Sequence, residues 1–177
     1  ENTNIMVRDR QSNMDRMPAI YSMYVDNCRK SNAMDFDDLL VYTFRLFHDN
    51  PEVRDKYRER YRFVLVDEYQ DTNYVQQQIV WQLTGGHQHV CVVGDDAQSI
   101  YGFRGANIDN ILDFQEQYDG SRMFKFEQNY RSTQNIVKAA NSLIKHNCRQ
   151  IEKDVFSQNS EGEKLRLRVL SSDKEEA

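Results

Sequence analysis

Several features are absent from this sequence, and each absence bounds what the chain does. No run of 18 apolar residues occurs in its 177 residues, so no membrane-crossing helix is expected. No signal-peptide pattern opens it. Cysteine is scarce: Cys28, Cys91 and Cys148 are odd in number, far apart and never form Cys-x-x-Cys. The expectation is reduced thiols in a cytoplasmic protein, with Cys91 as a small core residue. Net positive charge is missing too. A net charge of −5 argues against a general polyanion binder, while a local basic surface stays open. The seven glycines are 85, 86, 94, 102, 105, 120 and 162, and none precedes a lysine. The phosphate-cradling loop Gly-x-x-x-x-Gly-Lys-[Ser/Thr] is therefore missing rather than degenerate. There is no internal repeat and no low-complexity linker. What remains, 39% hydrophobic and 29% charged, fits about one soluble globular domain by length.

The chain is organised around residues 63–71, Phe-Val-Leu-Val-Asp-Glu-Tyr-Gln-Asp. Phe63 to Val66 reads as a strand buried on both faces. Asp67 and Glu68 follow where a parallel strand would emerge, the end at which open α/β sheets place ligands. One carboxylate can hold a hydrated Mg²⁺, which prefers one or two carboxylates plus phosphate oxygens. The other can orient a water. The plainer reading is that an acidic pair opens the next helix. A second strand of the same design, Val90–Val93, runs into Gly94-Asp95-Asp96-Ala97-Gln98-Ser99-Ile100-Tyr101-Gly102-Phe103-Arg104-Gly105-Ala106. Glu127-Gln128-Asn129-Tyr130-Arg131-Ser132-Thr133 comes later.

These three stretches, in this order and spacing, resemble successive motifs of the UvrD/Rep/PcrA-type superfamily 1 DNA helicases. The resemblance extends more weakly from about Tyr21 to Asn147. It implies an α/β fold, a partial RecA-like P-loop NTPase parallel sheet preceded by a helical subdomain. Residues 1–60 would close a helical inserted subdomain, 61–131 the first RecA-like domain, and 132–177 would begin the second. With the phosphate loop absent and Glu1 opening the chain, the expectation is an internal piece of a longer helicase.

The resemblance also implies roles. Asp67 would bind Mg²⁺ and Glu68 would deprotonate the attacking water. Gln98 would sense the γ-phosphate, since an amide both donates and accepts. Tyr130 would stack on the adenine of ATP, and Arg131 would act as an arginine finger. Phe103, where the family commonly has Trp, would stack on single-stranded DNA, with Tyr101 and Arg104 as further DNA contacts. Burial of those three between domains is the plainer alternative. The partners implied are single-stranded DNA, its junctions with duplex, and repair or replication proteins, with 3′→5′ translocation; no membrane is implied.

Two rival classes stand beside this one. The first is a non-catalytic DNA- or partner-binding module. The second is a metal nuclease on Asp67, Glu68, Asp95 and Asp96, which needs carboxylates clustered around two metals and leaves Gln98, Tyr130 and Arg131 unexplained.

Along the chain, residues 1–12 are polar and expected to fray. Met17, Ile20, Tyr21, Tyr24, Val25 and Cys28 predict a helix with a core-facing stripe, and Pro18 suits its first turn. Asp35 is a candidate cap for a helix carrying Phe36, Leu39, Leu40, Thr43 and Phe47. Pro51 starts another. Its Arg54, Lys56, Arg58 and Arg60, with Arg62 beyond, read as a solvated face or a phosphate-tracking surface. Helices are predicted over 72–83, ended by Gly85-Gly86, over 107–118, and after a Ser132 or Thr133 cap. Met123–Phe126 and Leu165–Leu170 are predicted strands, and the tail from Ser171 is expected to be loose. No metal is expected at His87 and His89.

Overall fold

The computed structural model describes residues 16–176, so the polar opening segment lies outside the described residues. Contacts divide it into two compact units, residues 16–64 with 75–89, and residues 65–74 with 90–176.

The first unit is helical. Helix α1 (Met17–Lys30) has Pro18 in its first turn, as predicted, but buries no residue. Its stripe is largely exposed, Ile20 at 52% and Tyr21 at 54%, so periodicity gave the helix and not its burial. Helix α2 (Phe36–Asp49) starts on a capping box. Asp38 N–H donates to the Asp35 carboxylate at 2.8 Å, and the Asp35 N–H returns a bond to Asp38. The Tyr24 hydroxyl also donates to Asp35. These donors hold the Asp35 carboxyl below its usual range, foremost the Asp38 N–H. Phe47 is buried and packs on Tyr57 of α3 (Pro51–Arg60), while Phe36 is exposed. Arg58 from α3 donates to the Gln82 carbonyl near the end of α4 (Tyr74–Thr84). Arg58 also lies against Gly85 and Gly86, which end that helix. His89 stacks on Phe63 at 5.0 Å and on His87 at 5.1 Å.

Strands β1 (Val64–Val66) and β2 (Val90–Val92) form a two-stranded sheet. Val64 N–H donates to His89 O and Val93 N–H to Val66 O, so pairing advances in the same direction along both strands. The expectation of burial on both faces is corrected. Phe63 and Leu65 are exposed, as is Cys91, because two strands alternate their side chains and only one face is covered by the described residues.

In the second unit Tyr69 is fully buried and meets the Phe114 ring edge-on; Phe114 stacks on buried Tyr118. Burial, then the neighbouring Tyr118, pushes the Tyr69 hydroxyl up to about 12. The predicted 107–118 helix is two short pieces, α5 (Asp109–Leu112) and α6 (Phe114–Gln117), joined at Asp113. No strand forms over Met123–Phe126, whose side chains are exposed. Pairing begins instead at β3 (Gln128–Asn129), parallel to β4 (Phe156–Ser157), with α7 (Gln134–Ile144) between them. Thr133 is the N-cap of α7 without a side-chain bond; the carbonyls of Ser160 and Glu161 accept from the N–H groups of Gln134 and Asn135. Leu165–Leu170 forms no strand, since its alternating residues find no partner among the described ones. The tail holds a short helix, α8 (Asp173–Glu176), where a loose segment was expected.

Candidate functional site

The two strands deliver their acidic turns side by side. After β1 the backbone turns at Glu68, which adopts the left-handed region (φ 50°, ψ 41°), rare for a residue with a side chain. Its N–H donates to Asp67 Oδ1 at 2.9 Å. Both carboxylates are exposed. A 3₁₀ turn over Tyr69–Asp71 follows, and it buries Gln70. The second turn, after β2, is a 3₁₀ segment over Asp96–Gln98 capped by Asp95, whose carboxylate accepts from Ala97 N–H.

Gln70 joins the turns. Its Nε2 donates to Glu68 Oε2 at 2.8 Å, and its Oε1 accepts from Asp95 N–H at 3.0 Å. Gln98 Nε2 donates to Asp95 Oδ2 at 2.7 Å. Lys153, three residues before β4, reaches Asp95 at 2.5 Å and Asp96 at 2.9 Å. Asp96 is 5% exposed and also accepts from Ile151 N–H. Burial by itself would raise the Asp95 carboxyl, but Lys153, Gln98 and the Ala97 N–H together bring it below its ordinary value. Burial would lower Lys153, but the two carboxylates outweigh it and raise it. These bonds occupy Asp95 and Asp96 with an ammonium, which works against the two-metal nuclease arrangement. No group of three or more metal-binding side chains forms among the described residues.

The loop beyond Gln98 is braced on the first turn. Ser99 Oγ donates to Gln70 O, Asn107 N–H to Thr72 O, and buried Asn110 to both Thr72 oxygens. Between these anchors Gly102–Arg104 forms a 3₁₀ turn ending at Gly105, where φ is +88°. The Arg104 guanidinium lies 5.4 Å from the Tyr101 ring and 5.3 Å from the Phe103 ring. Phe103 is 79% exposed.

Tyr130 and Arg131 occupy a separate turn after β3. Asn129 Oδ1 accepts from the N–H groups of Arg131 and Ser132, both at 2.8 Å, and Asn159 donates to the Tyr130 and Ser132 carbonyls. The Tyr130 ring is 77% exposed, its hydroxyl bonded to Gln128. Arg131 is exposed and makes no ion pair among the described residues. Thus Glu68 and Gln98 share one bonded network and Tyr101, Phe103 and Arg104 share a cluster, whereas Tyr130 and Arg131 have no direct bond to either. The sequence reading missed Gln70, Asn129, Lys153 and Asn159. Only Gln70 and Asn129 lie in its motifs, and nothing local marks the other two.

Comparison with known proteins assigns the chain to a family. The UvrD/REP helicase N-terminal domain model matches residues 1–119, and the UvrD-like helicase C-terminal domain model matches 124–177. The chain belongs to the UvrD/REP helicase family. It is 46% identical over 158 residues to a DNA helicase II from Rickettsia typhi, covering 89% of this chain and 24% of that protein. A probable DNA helicase II homolog from Rickettsia conorii is 43% identical over 176 residues, 99% of this chain and 27% of that protein. An ATP-dependent DNA helicase PcrA from Staphylococcus aureus is 42% identical over 158 residues, 89% of this chain and 22% of that protein. The chain thus spans about a quarter of the length of the curated relatives it matches.

Proposed function

We propose that this chain is the segment of an ATP-dependent DNA helicase in which the hydrolytic residues and a DNA contact share one framework. The observation that carries the reading is the continuous path from Glu68 through Gln70 and Asp95 to Gln98, and along the braced loop to Phe103. β1 and β2 would belong to a RecA-like sheet, with residues 1–60, 61–131 and 132–177 as parts of three subdomains.

The residues fit ATP with Mg²⁺. One Asp67 oxygen is held by the Glu68 N–H, and the exposed carboxylate suits a hydrated ion. The bound ion would neutralise charge on the transferring phosphoryl group. Glu68 would orient a water and take its proton, its carboxylate aimed by Gln70. Gln98 would answer to the terminal phosphate. Tyr130 offers a flat exposed ring for the base, and Arg131 an unpaired guanidinium for phosphate charge. Phosphate contacts of the Gly-Lys type lie outside these residues. Tyr101, Phe103 and Arg104 would grip single-stranded DNA by stacking and charge, with the 3′→5′ direction inferred from the family.

The test is Glu68→Gln in the complete protein. ATP binding should persist while kcat falls at least ~10²-fold, as expected for loss of a general base. Near-normal kcat would remove Glu68 from this role.

A further inference from the structure

The two acidic turns are held in register by one buried side chain, and its chemistry leaves little choice of residue. Gln70 is 1% exposed. The Asp95 backbone N–H can only donate, so the amide oxygen must face it. That leaves the NH₂ for Glu68, whose carboxylate only accepts. No other hydrogen bond to the Glu68 carboxylate is found among the described residues. The space for the amide exists because residue 94 is glycine. A Cβ there would lie 2.5 Å from Gln70 Oε1 and 2.8 Å from Ile111 Cδ1.

We propose that Gln70 is a positioning residue that fixes the Glu68 carboxylate relative to the Gln98 turn. It does so as a two-ended strut, donating to Glu68 and accepting from Asp95. This rests on the reading of Glu68 and Gln98 given above. Movement of Gln98 is thereby felt at Glu68 through three hydrogen bonds, by way of Asp95 and Gln70, without any atom of Gln70 touching substrate.

Two variants of the complete protein separate the ends of the strut. Gln70→Met keeps the length and loses both bonds. Gln70→Glu keeps an acceptor for Asp95 N–H and, assayed at a pH high enough to ionise both carboxylates, loses the donor to Glu68. In nucleotide-free protein, amide hydrogen exchange over residues 94–99 should quicken in Gln70→Met and stay slow in Gln70→Glu. In both, kcat should fall by about 10²-fold, the cost of misplacing a reacting group by about an ångström, with KM for ATP unchanged. Normal kcat in a folded variant overturns the proposal. So does exchange that quickens across the whole chain while KM rises, the mark of a merely structural role. Glu68→Gln is measured alongside. If it is inactive while Gln70→Met turns over normally, the strut alone fails. Normal turnover by Glu68→Gln overturns the reading beneath and the proposal with it.

Discussion

Gln98 and Phe103 lie five residues apart in one loop, and their surroundings differ in kind. Gln98 bonds to Asp95 in its own turn, and that turn is tied to buried or half-buried polar groups from distant parts of the chain, Gln70 through Asp95 and Lys153 through Asp95 and Asp96. Around Phe103 the partners are local, Tyr101 and Arg104, and the ring faces outward. The first end is tied down because the charge behind it, Asp96 above all, is matched in a poorly solvated place, where a missing partner is costly. The other is open, and a flat exposed face is all that the proposed stacking on a base requires. Breaking the first should cost stability; breaking the second should cost binding.

The largest expected effect is at the rigid end. Lys153→Met leaves the Asp96 carboxylate, 5% exposed, without its counter-ion. Stability should fall by about 3 kcal/mol, the lower range for breaking a buried pair. Chemical denaturation checks this, and a loss below about 0.5 kcal/mol would count against it. Gly94→Ala comes next. The added methyl meets the Gln70 amide and Ile111, so overpacking should cost about 1–3 kcal/mol, with faster amide exchange at Asp95.

At the open end the loss should appear in a different measurement. Phe103→Ala should weaken single-strand binding by ~1–3 kcal/mol, while stability stays within about 0.5 kcal/mol, as for exposed positions. Phe103→Trp should match or exceed the parent in a DNA titration. A drop in melting temperature with unchanged DNA affinity would reverse the contrast between the ends.

The smallest effect is with pH. Asp95 is held below its unfolded value of 3.8, so its contribution is full above that value and is lost as pH falls through the lower folded value. Lys153 is raised above 10.5, so its contribution is full below that value and is lost as pH rises through the folded value. Between these limits the pair adds no pH dependence. Urea melts at acid pH should show a shallower loss of stability in Asp95→Asn than in the parent.

What could be read from sequence follows the same division between local and distant partners. The Asp35–Asp38 capping box, the Pro51 helix start and the two short strands depend on neighbours, and were legible. Burial of Phe63, Leu65 and Cys91 was misread, because a strand's pattern shows its two faces but not what covers them. Met123–Phe126 and Leu165–Leu170 alternate like strands and remain unpaired, while the β3–β4 pair is too short to leave a pattern. The motifs named Glu68, Gln98 and Phe103, but the roles of Gln70 and Lys153 required two loops in space. No periodicity encodes that.

The bond between Lys153 and Asp96 spans 57 residues, and this has a consequence for a chain that emerges from the ribosome in order. At about 5–20 residues per second, Lys153 follows Asp96 by roughly 3 to 11 seconds. Until it arrives, the two aspartates lack their counter-ion and must stay hydrated, although the bonds of the turn to Ala97, Gln98 and Gln70 can already form. In the nascent protein the neutralisation of this acidic loop thus waits until β4 is nearly complete, so the Asp96 carboxylate can be buried only among the last steps of this segment.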